Sequence, residues 1–134
     1  DLLFGMSTTH RTDIQMRFAD TDALGHINNA RYAEYVELAR LEFLRVLGTS
    51  VRSLILASLY IDYRRQIALD EAIHVDSWGE KLGNSSIAIA HTVFASGEPA
   101  AEVKSVVVHF DYAQSKSRPL TPEMRRALEP YLAG

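Results

Sequence analysis

A single long helical stripe stands in a chain whose other hydrophobic patterns are those of strands, and this asymmetry decides the fold class. From Tyr32, apolar or small residues recur at Val36, Ala39, Phe43 and Val46, while Tyr35, Leu44 and Leu47 broaden the stripe. Steps of three and four residues place them on one face of a helix over 32–47, with Glu34, Glu37, Arg40 and Arg45 on the other. Gly48 follows where a left-handed C-cap is expected. Upstream, Thr12 to Phe18 alternates Ile14, Met16 and Phe18 with Asp13, Gln15 and Arg17, the pattern of a half-buried strand. Downstream, Ser53 to Tyr63 is apolar, its first half equally compatible with helix or irregular chain. Glu71 to Trp78 alternates, Gly79 to Asn84 reads as a turn, and Ser85 to Ala95 is a clear strand. Ser96-Gly97-Glu98-Pro99 reads as a hairpin turn leading into a partner strand from Ala101 to Tyr112. Thr121-Pro122-Glu123 supplies an N-cap, a proline at the first helical position and an acidic first turn for a short helix to Leu132. The expectation is α+β: an antiparallel sheet wrapped around one long central helix, as a single domain over 12–134 after an N-terminal extension, 1–11.

Composition narrows the chemistry. At 134 residues, 47% hydrophobic and 23% charged, the chain is long enough for one real core. A formal charge of −3 provides no basic field for nucleic acid. Cysteine is absent, which excludes disulfides, thiolate metal sites and cysteine nucleophiles, and fits a reducing compartment. No apolar run approaches the ~18 residues of a membrane span. Asp1-Leu2-Leu3-Phe4-Gly5 has neither a basic region nor a cleavage signature, so no secretory signal is expected.

The residues that carry chemistry lie between the first strand and the long helix, in Asp20-Thr21-Asp22-Ala23-Leu24-Gly25-His26-Ile27-Asn28-Asn29. Asn28 and Asn29 are suited to cap a helix starting near Ala30. The first-turn N–H groups have no intrahelical acceptor, and the helix dipole makes that end electropositive. Such N–H groups, alone or with that of Gly25, can stabilise an oxyanion. A neighbouring carboxylate can attack a carbonyl or activate a water. The same residues also suit a purely structural turn, since Asp and Asn form Asx-turns and caps, and Gly25 needs only a positive φ. Calcium is excluded: a loop of EF-hand type starting at Asp20 would need an oxygen ligand at Leu24 and a glutamate at Arg31. His10, His74, His91 and His109 are scattered without zinc-ligand spacing, so no metal is expected. There is no G-x-S-x-G elbow and no glycine-rich phosphate loop.

Arg17 to Asn29 followed by Tyr32, a D-T-D-x-x-G-H-x-N-N-x-x-Y pattern, resembles the signature of hotdog-fold acyl-CoA thioesterases of the 4-hydroxybenzoyl-CoA thioesterase-like family. It is also similar to the corresponding stretch of plant acyl-ACP thioesterases. Tyr32, Glu37, Arg40 and Glu42 in the helix, and Phe110-Asp111-Tyr112 running on to Arg118-Pro119 and Thr121-Pro122-Glu123, extend the resemblance over about residues 12 to 130. It implies a hotdog fold and hydrolysis of acyl-CoA thioesters to free acid and CoA, with no cofactor. Asp22 matches the catalytic carboxylate, acting as nucleophile or general base. The Asn29 N–H matches the oxyanion site, and His26 the histidine of the H-x-N-N variants. Gly25, Asn28 and Tyr32 fall within the substrate-binding part of the motif. CoA would be held by scattered basic residues: Arg64, Arg65, Lys81, Lys116 and Arg118 are candidates, with the Gly83-Asn84-Ser85-Ser86 turn, and Arg64 and Ser85 are retained as binding residues. Tyr35, Phe43, Leu59 and Tyr60 are candidates for the acyl pocket. Asp20 is expected to be structural, binding Arg17 or a turn N–H. The family is dimeric at minimum and often tetrameric, and a cytoplasmic location is expected.

Three other functions compete. The H-x-N-N form suggests an acyl-ACP thioesterase, and a hotdog module that binds acyl thioesters without cleaving them would need no Asp22. A dehydratase relies on a different His and carboxylate arrangement.

Overall fold

A computed structural model describes residues 8–133. Residues 1–7 of the expected extension therefore lie outside the described residues. Six strands and two α-helices follow in the order β1 (His10–Ile14), α1 (Asn29–Leu44), β2 (Leu54–Tyr63), β3 (Ile73–Leu82), β4 (Ser86–Ala95), β5 (Glu98–Asp111), β6 (Lys116–Ser117) and α2 (Pro122–Leu128). The sheet is antiparallel in the order β1-β3-β4-β5-β2, with β6 added to the end of β5. It curls around α1, which is the expected hotdog arrangement.

The helix starts where its cap dictates. The Asn28 side chain accepts from Ala30 N at 2.9 Å, so α1 runs over 29–44, three residues upstream of the expected span. The last expected turn is instead 3₁₀, in two short pieces over Arg45–Ser53 broken at Gly48 (φ 60°, ψ −136°), so the helix is capped at Arg45 and not at Gly48. Leu47 is still buried there, whereas Val46 is exposed. The stripe of Tyr32, Tyr35, Val36, Ala39 and Phe43 faces the sheet as expected. Arg40, placed on the polar side by the helical pattern, is buried as well.

Three strand boundaries differ from the alternation pattern. β1 ends at Ile14, and Phe18 lies fully outside the core in a 3₁₀ turn over Phe18–Asp20, because Arg17 and Asp20 close that turn on themselves. β3 does not turn at Gly79 but continues to Leu82 through a bulge between Gly79 and Lys81. The glycine serves close approach rather than a turn: a Cβ there would meet Leu132 Cδ2 at 3.0 Å, and Ala133 N donates to its carbonyl. Finally, the β4–β5 turn is only Ser96-Gly97, both at positive φ, and Glu98 and Pro99 already belong to β5.

Two apolar clusters flank α1. Tyr32, Val36, Ile67, Val75 and Val93 fill one end, and Phe43, Leu44, Ile89, Met124 and Leu128 the other. α2, capped by the Thr121 side chain accepting from Met124 N, closes the second cluster. Between them runs a polar seam. Arg40 Nη1 donates to Ser105 Oγ at 3.5 Å, and His91 sits between Ser105 and Ser77 with 2.9 Å to each hydroxyl. Burial, reinforced by the Arg40 charge, pushes the His91 pKa down to about 3.

Candidate active site

Asp20 organises the junction. It is wholly buried, and its carboxylate accepts from Tyr35 Oη at 2.6 Å, from Arg17 Nη2 at 2.7 Å and from Arg17 N at 3.1 Å. Its carbonyl accepts from Asn28 N at 2.9 Å. Burial alone would raise its pKa, but the hydrogen bonds from Tyr35 and Arg17 outweigh that and hold it below the ordinary value. Burial, together with the same bond to Asp20, raises the Tyr35 phenol. The expected structural role of Asp20, bound to Arg17, is what the structure shows.

Residues 21–27 form a small hairpin hung on this anchor. Thr21 pairs with Ile27, and Asp22 N donates to His26 O at 2.7 Å. Gly25, at φ 82°, completes the tip by donating to Asp22 O. The segment after β2 holds it in place: Ile27 N donates to Ile67 O, and Leu69 N to Gly25 O. That segment is itself fixed by Arg65, whose guanidinium grips Glu71 and the Ala95 carbonyl. The Arg65 hydrogen bonds, helped by Ala68 N and Ser96 Oγ, draw the Glu71 pKa down to about 2.

Asp22 lies at the tip, exposed in the protomer. Its Oδ1 accepts from Leu24 N at 2.8 Å and His26 N at 3.3 Å, an Asx-turn that fixes the side chain. Oδ2 accepts no hydrogen bond among the described residues. His26 is half-buried, and its Nδ1 is buried without a hydrogen-bond partner among the described residues. Asn28 spends its side chain on the cap. The Asn29 N–H meets no acceptor among the described residues, while its carbonyl accepts from Tyr63 Oη at 3.0 Å. The junction thus presents one free carboxylate oxygen and one free helix-terminal N–H, with a buried, unsatisfied imidazole nitrogen behind them.

The remaining expected residues are placed elsewhere. Tyr32 is in the core, its phenol donating to Arg65 O. Tyr35 and Phe43 are buried core residues, whereas Leu59 and Tyr60 are exposed on β2. Arg64 bridges Asp62 and Glu102 on the outer face of the sheet, where Tyr60, Trp78 and Lys104 share with it a hollow of about 280 Å³. Ser85, in the β3–β4 turn, accepts from His109 N through its carbonyl. Arg118 binds His109 Nε2 and Ser53. In one protomer, Arg64 and Ser85 are therefore not gathered around Asp22. Among the described residues there is no cluster of His, Asp and Glu fit to hold a metal, and no helix is long and apolar enough to cross a membrane. Tyr63 is the contributor that sequence reasoning missed. It ends the apolar segment that forms β2, and only the folded chain brings it to the helix N-terminus.

Residues 16–128 match the model of the thioesterase-like superfamily. The chain is 27% identical over 127 residues to the long-chain acyl-CoA thioesterase FadM of Escherichia coli, covering 89% of this chain and 96% of that one. A predicted thioesterase from Bacillus stearothermophilus superposes with a TM-score of 0.88 at 25% identity, covering 93% of this chain and 97% of the other. A thioesterase from Thermus thermophilus, solved with coenzyme A and Zn, gives 0.82 at 34% identity, with 89% and 90% covered. The match spans both the curled sheet and the capped junction at its centre, so the chain belongs to the thioesterase-like superfamily, hotdog-fold enzymes of thioester hydrolysis.

Proposed function

We propose that this protein hydrolyses acyl-CoA thioesters to the free acid and CoA, with Asp22 and the N-terminus of α1 on either side of the thioester carbonyl. The observation that carries this reading is the pairing of a free Asp22 oxygen with a free Asn29 N–H on one rigid junction. The carbonyl oxygen accepts from Asn29 N–H, and the helix dipole favours the negative charge that develops on it. Asp22 Oδ2 then attacks the carbonyl carbon, the C–S bond breaks, and CoA leaves as thiolate. Water hydrolyses the resulting anhydride and restores the carboxylate. In the general-base variant, Asp22 instead takes the proton of a water that attacks directly. His26, half-buried on the same turn, holds the water or the carbonyl. Gly25 shapes the turn and Asn28 caps the helix. The relative named for acyl-CoA and the neighbour solved with coenzyme A support the CoA thioester as substrate. Arg64 and Ser85 are proposed to meet the CoA arm in an assembly of two or more copies.

The test is free-thiol release from a panel of acyl-CoAs. Asp22→Asn lowers turnover at least ~100-fold, the scale of a lost catalytic acid or base, and His26→Ala lowers it less. Equal rates in wild type and Asp22→Asn would remove the carboxylate from the reaction. The H-x-N-N form favours a second reading, hydrolysis of acyl-ACP. Equimolar competition between CoA and carrier-protein thioesters separates the two.

A further inference from the structure

The first turn of α1 is held by more than its cap. The peptide that follows Asn29 is clamped at both ends: Ala30 N donates to the Asn28 side chain at 2.9 Å, and the Asn29 carbonyl accepts from Tyr63 Oη at 3.0 Å. The peptide before Asn29 is fixed through its carbonyl, since Asn28 O accepts from Arg31 N at 2.8 Å. Most of these contacts are local. Tyr63 comes from the end of β2, 34 positions away. A carbonyl in a first helical turn already has its intrahelical donor, so the phenol is an additional bond on the second lone pair.

Tyr63 is itself well placed to act as a fixed strut. Its ring meets Tyr32 edge to face, with centroids 5.0 Å apart, and Tyr32 Oη donates to Arg65 O at 3.2 Å. Backbone pairing to Ala101, and the donation of Arg64 N and Arg65 N to Ala100 O, tie the stretch to β5. The same stretch holds the Asp22 hairpin, through Ile27 N on Ile67 O at 2.7 Å and Leu69 N on Gly25 O at 3.2 Å. Residues 63–69 therefore grip the helix start with a side chain and the hairpin with backbone. Tyr63 is 43% exposed, so a phenylalanine would pack as well, and its hydroxyl meets only the Asn29 carbonyl among the described residues.

We propose that Tyr63 is a positioning residue for thioester hydrolysis: by holding the Asn29 carbonyl, it fixes the direction in which the Asn29 N–H points across the gap to Asp22. This rests on the reading of that N–H as the oxyanion donor. Direction matters because a hydrogen bond weakens steeply as it bends, and a small misplacement of reacting groups is expensive in rate. Without the hydroxyl, the Asn28 cap still starts the helix, but the peptide after Asn29 is held at one end only. A merely structural Tyr63 would alter stability and leave the handling of the carbonyl untouched.

Tyr63→Phe keeps the ring and removes the hydroxyl. With the best acyl-CoA of the panel, kcat falls about tenfold while KM changes by less than about twofold, with an unchanged far-ultraviolet spectrum. Calorimetric titration supplies a readout without turnover, using two CoA ligands. One is a trifluoromethyl ketone, hydrated to a tetrahedral carbon like that of the reaction; the other is the corresponding thioether, which has no such centre. Tyr63→Phe weakens the ketone about tenfold and leaves the thioether within about twofold. A wild-type kcat in Tyr63→Phe overturns the proposal, as does equal weakening of both ligands, or a wild-type protein that binds the ketone no tighter than the thioether. Since the titration needs no catalytic carboxylate, an Asp22→Asn protein as fast as wild type would sink the role of Asp22 and leave that of Tyr63 to be read from the two ligands.

Discussion

Asp20 and Asp22 stand two positions apart and have opposite surroundings, and nothing in their residue type distinguishes them. Asp20 is taken out of water by Tyr35, fifteen positions away, while Asp22 keeps one oxygen free. The pair with Arg17 contributes little because that side chain is 63% exposed. The buried bond from Tyr35 contributes more. Asp20→Asn should therefore cost about 2 kcal/mol and lower the melting temperature by about 6 °C, measured by differential scanning calorimetry at pH 7. A second residue-level expectation concerns His91. Its folded pKa of about 3 lies below the unfolded value of 6.5, so the stability it permits is complete above pH 6.5 and is lost as pH falls toward 3. Between pH 6.5 and pH 4 this amounts to roughly 3 kcal/mol. Urea titrations across that window should show a shallower decline in His91→Gln. The sequence shows His91 at the same parity as Ile87, Ile89 and Val93, on the inward face of a strand. The serines that satisfy it lie on two other strands, and parity alone does not reveal them.

Among the elements, those with local causes were legible. The Asn28 cap and the Thr121-Pro122 helix start each follow from one or two neighbouring residues, and the structure places them where the residues indicate, while the β4–β5 turn falls at the expected site but is two residues shorter. Elements ended by tertiary contacts were misjudged. β3 runs past Gly79 because Leu132 packs on it, and β1 stops early because Asp20 pulls the chain towards α1. The connection between Tyr63 and Ile73 carries no motif of its own in the sequence. Folded, it is a strap that holds the 21–27 hairpin, closed by Glu71 on Arg65, Ala68 and Ser96. The Glu71 pKa of about 2 lies below its ordinary 4.5, so the strap's stabilisation is present above pH 4.5 and is lost as pH falls toward 2. Glu71→Gln should abolish that acid sensitivity and speed amide hydrogen exchange at Ala68 and at Ile27, whose N–H donates into the strap. Unchanged exchange at both positions would show that the hairpin holds itself.

At the scale of the whole molecule, the fold class was legible because one wide helical stripe against several alternating segments admits few packings. The binding surface was not, because Asp22 is exposed in one protomer and a groove beside α1 is open along β2. A polar residue on an apparent solvent face, such as Arg40, reads as surface until the sheet closes over it.

One end of the sheet also bears on solution behaviour. The β1 margin, five residues long and bearing the charged pair Arg11 and Asp13, resists the addition of a further strand, so an open fibre cannot readily grow from that side.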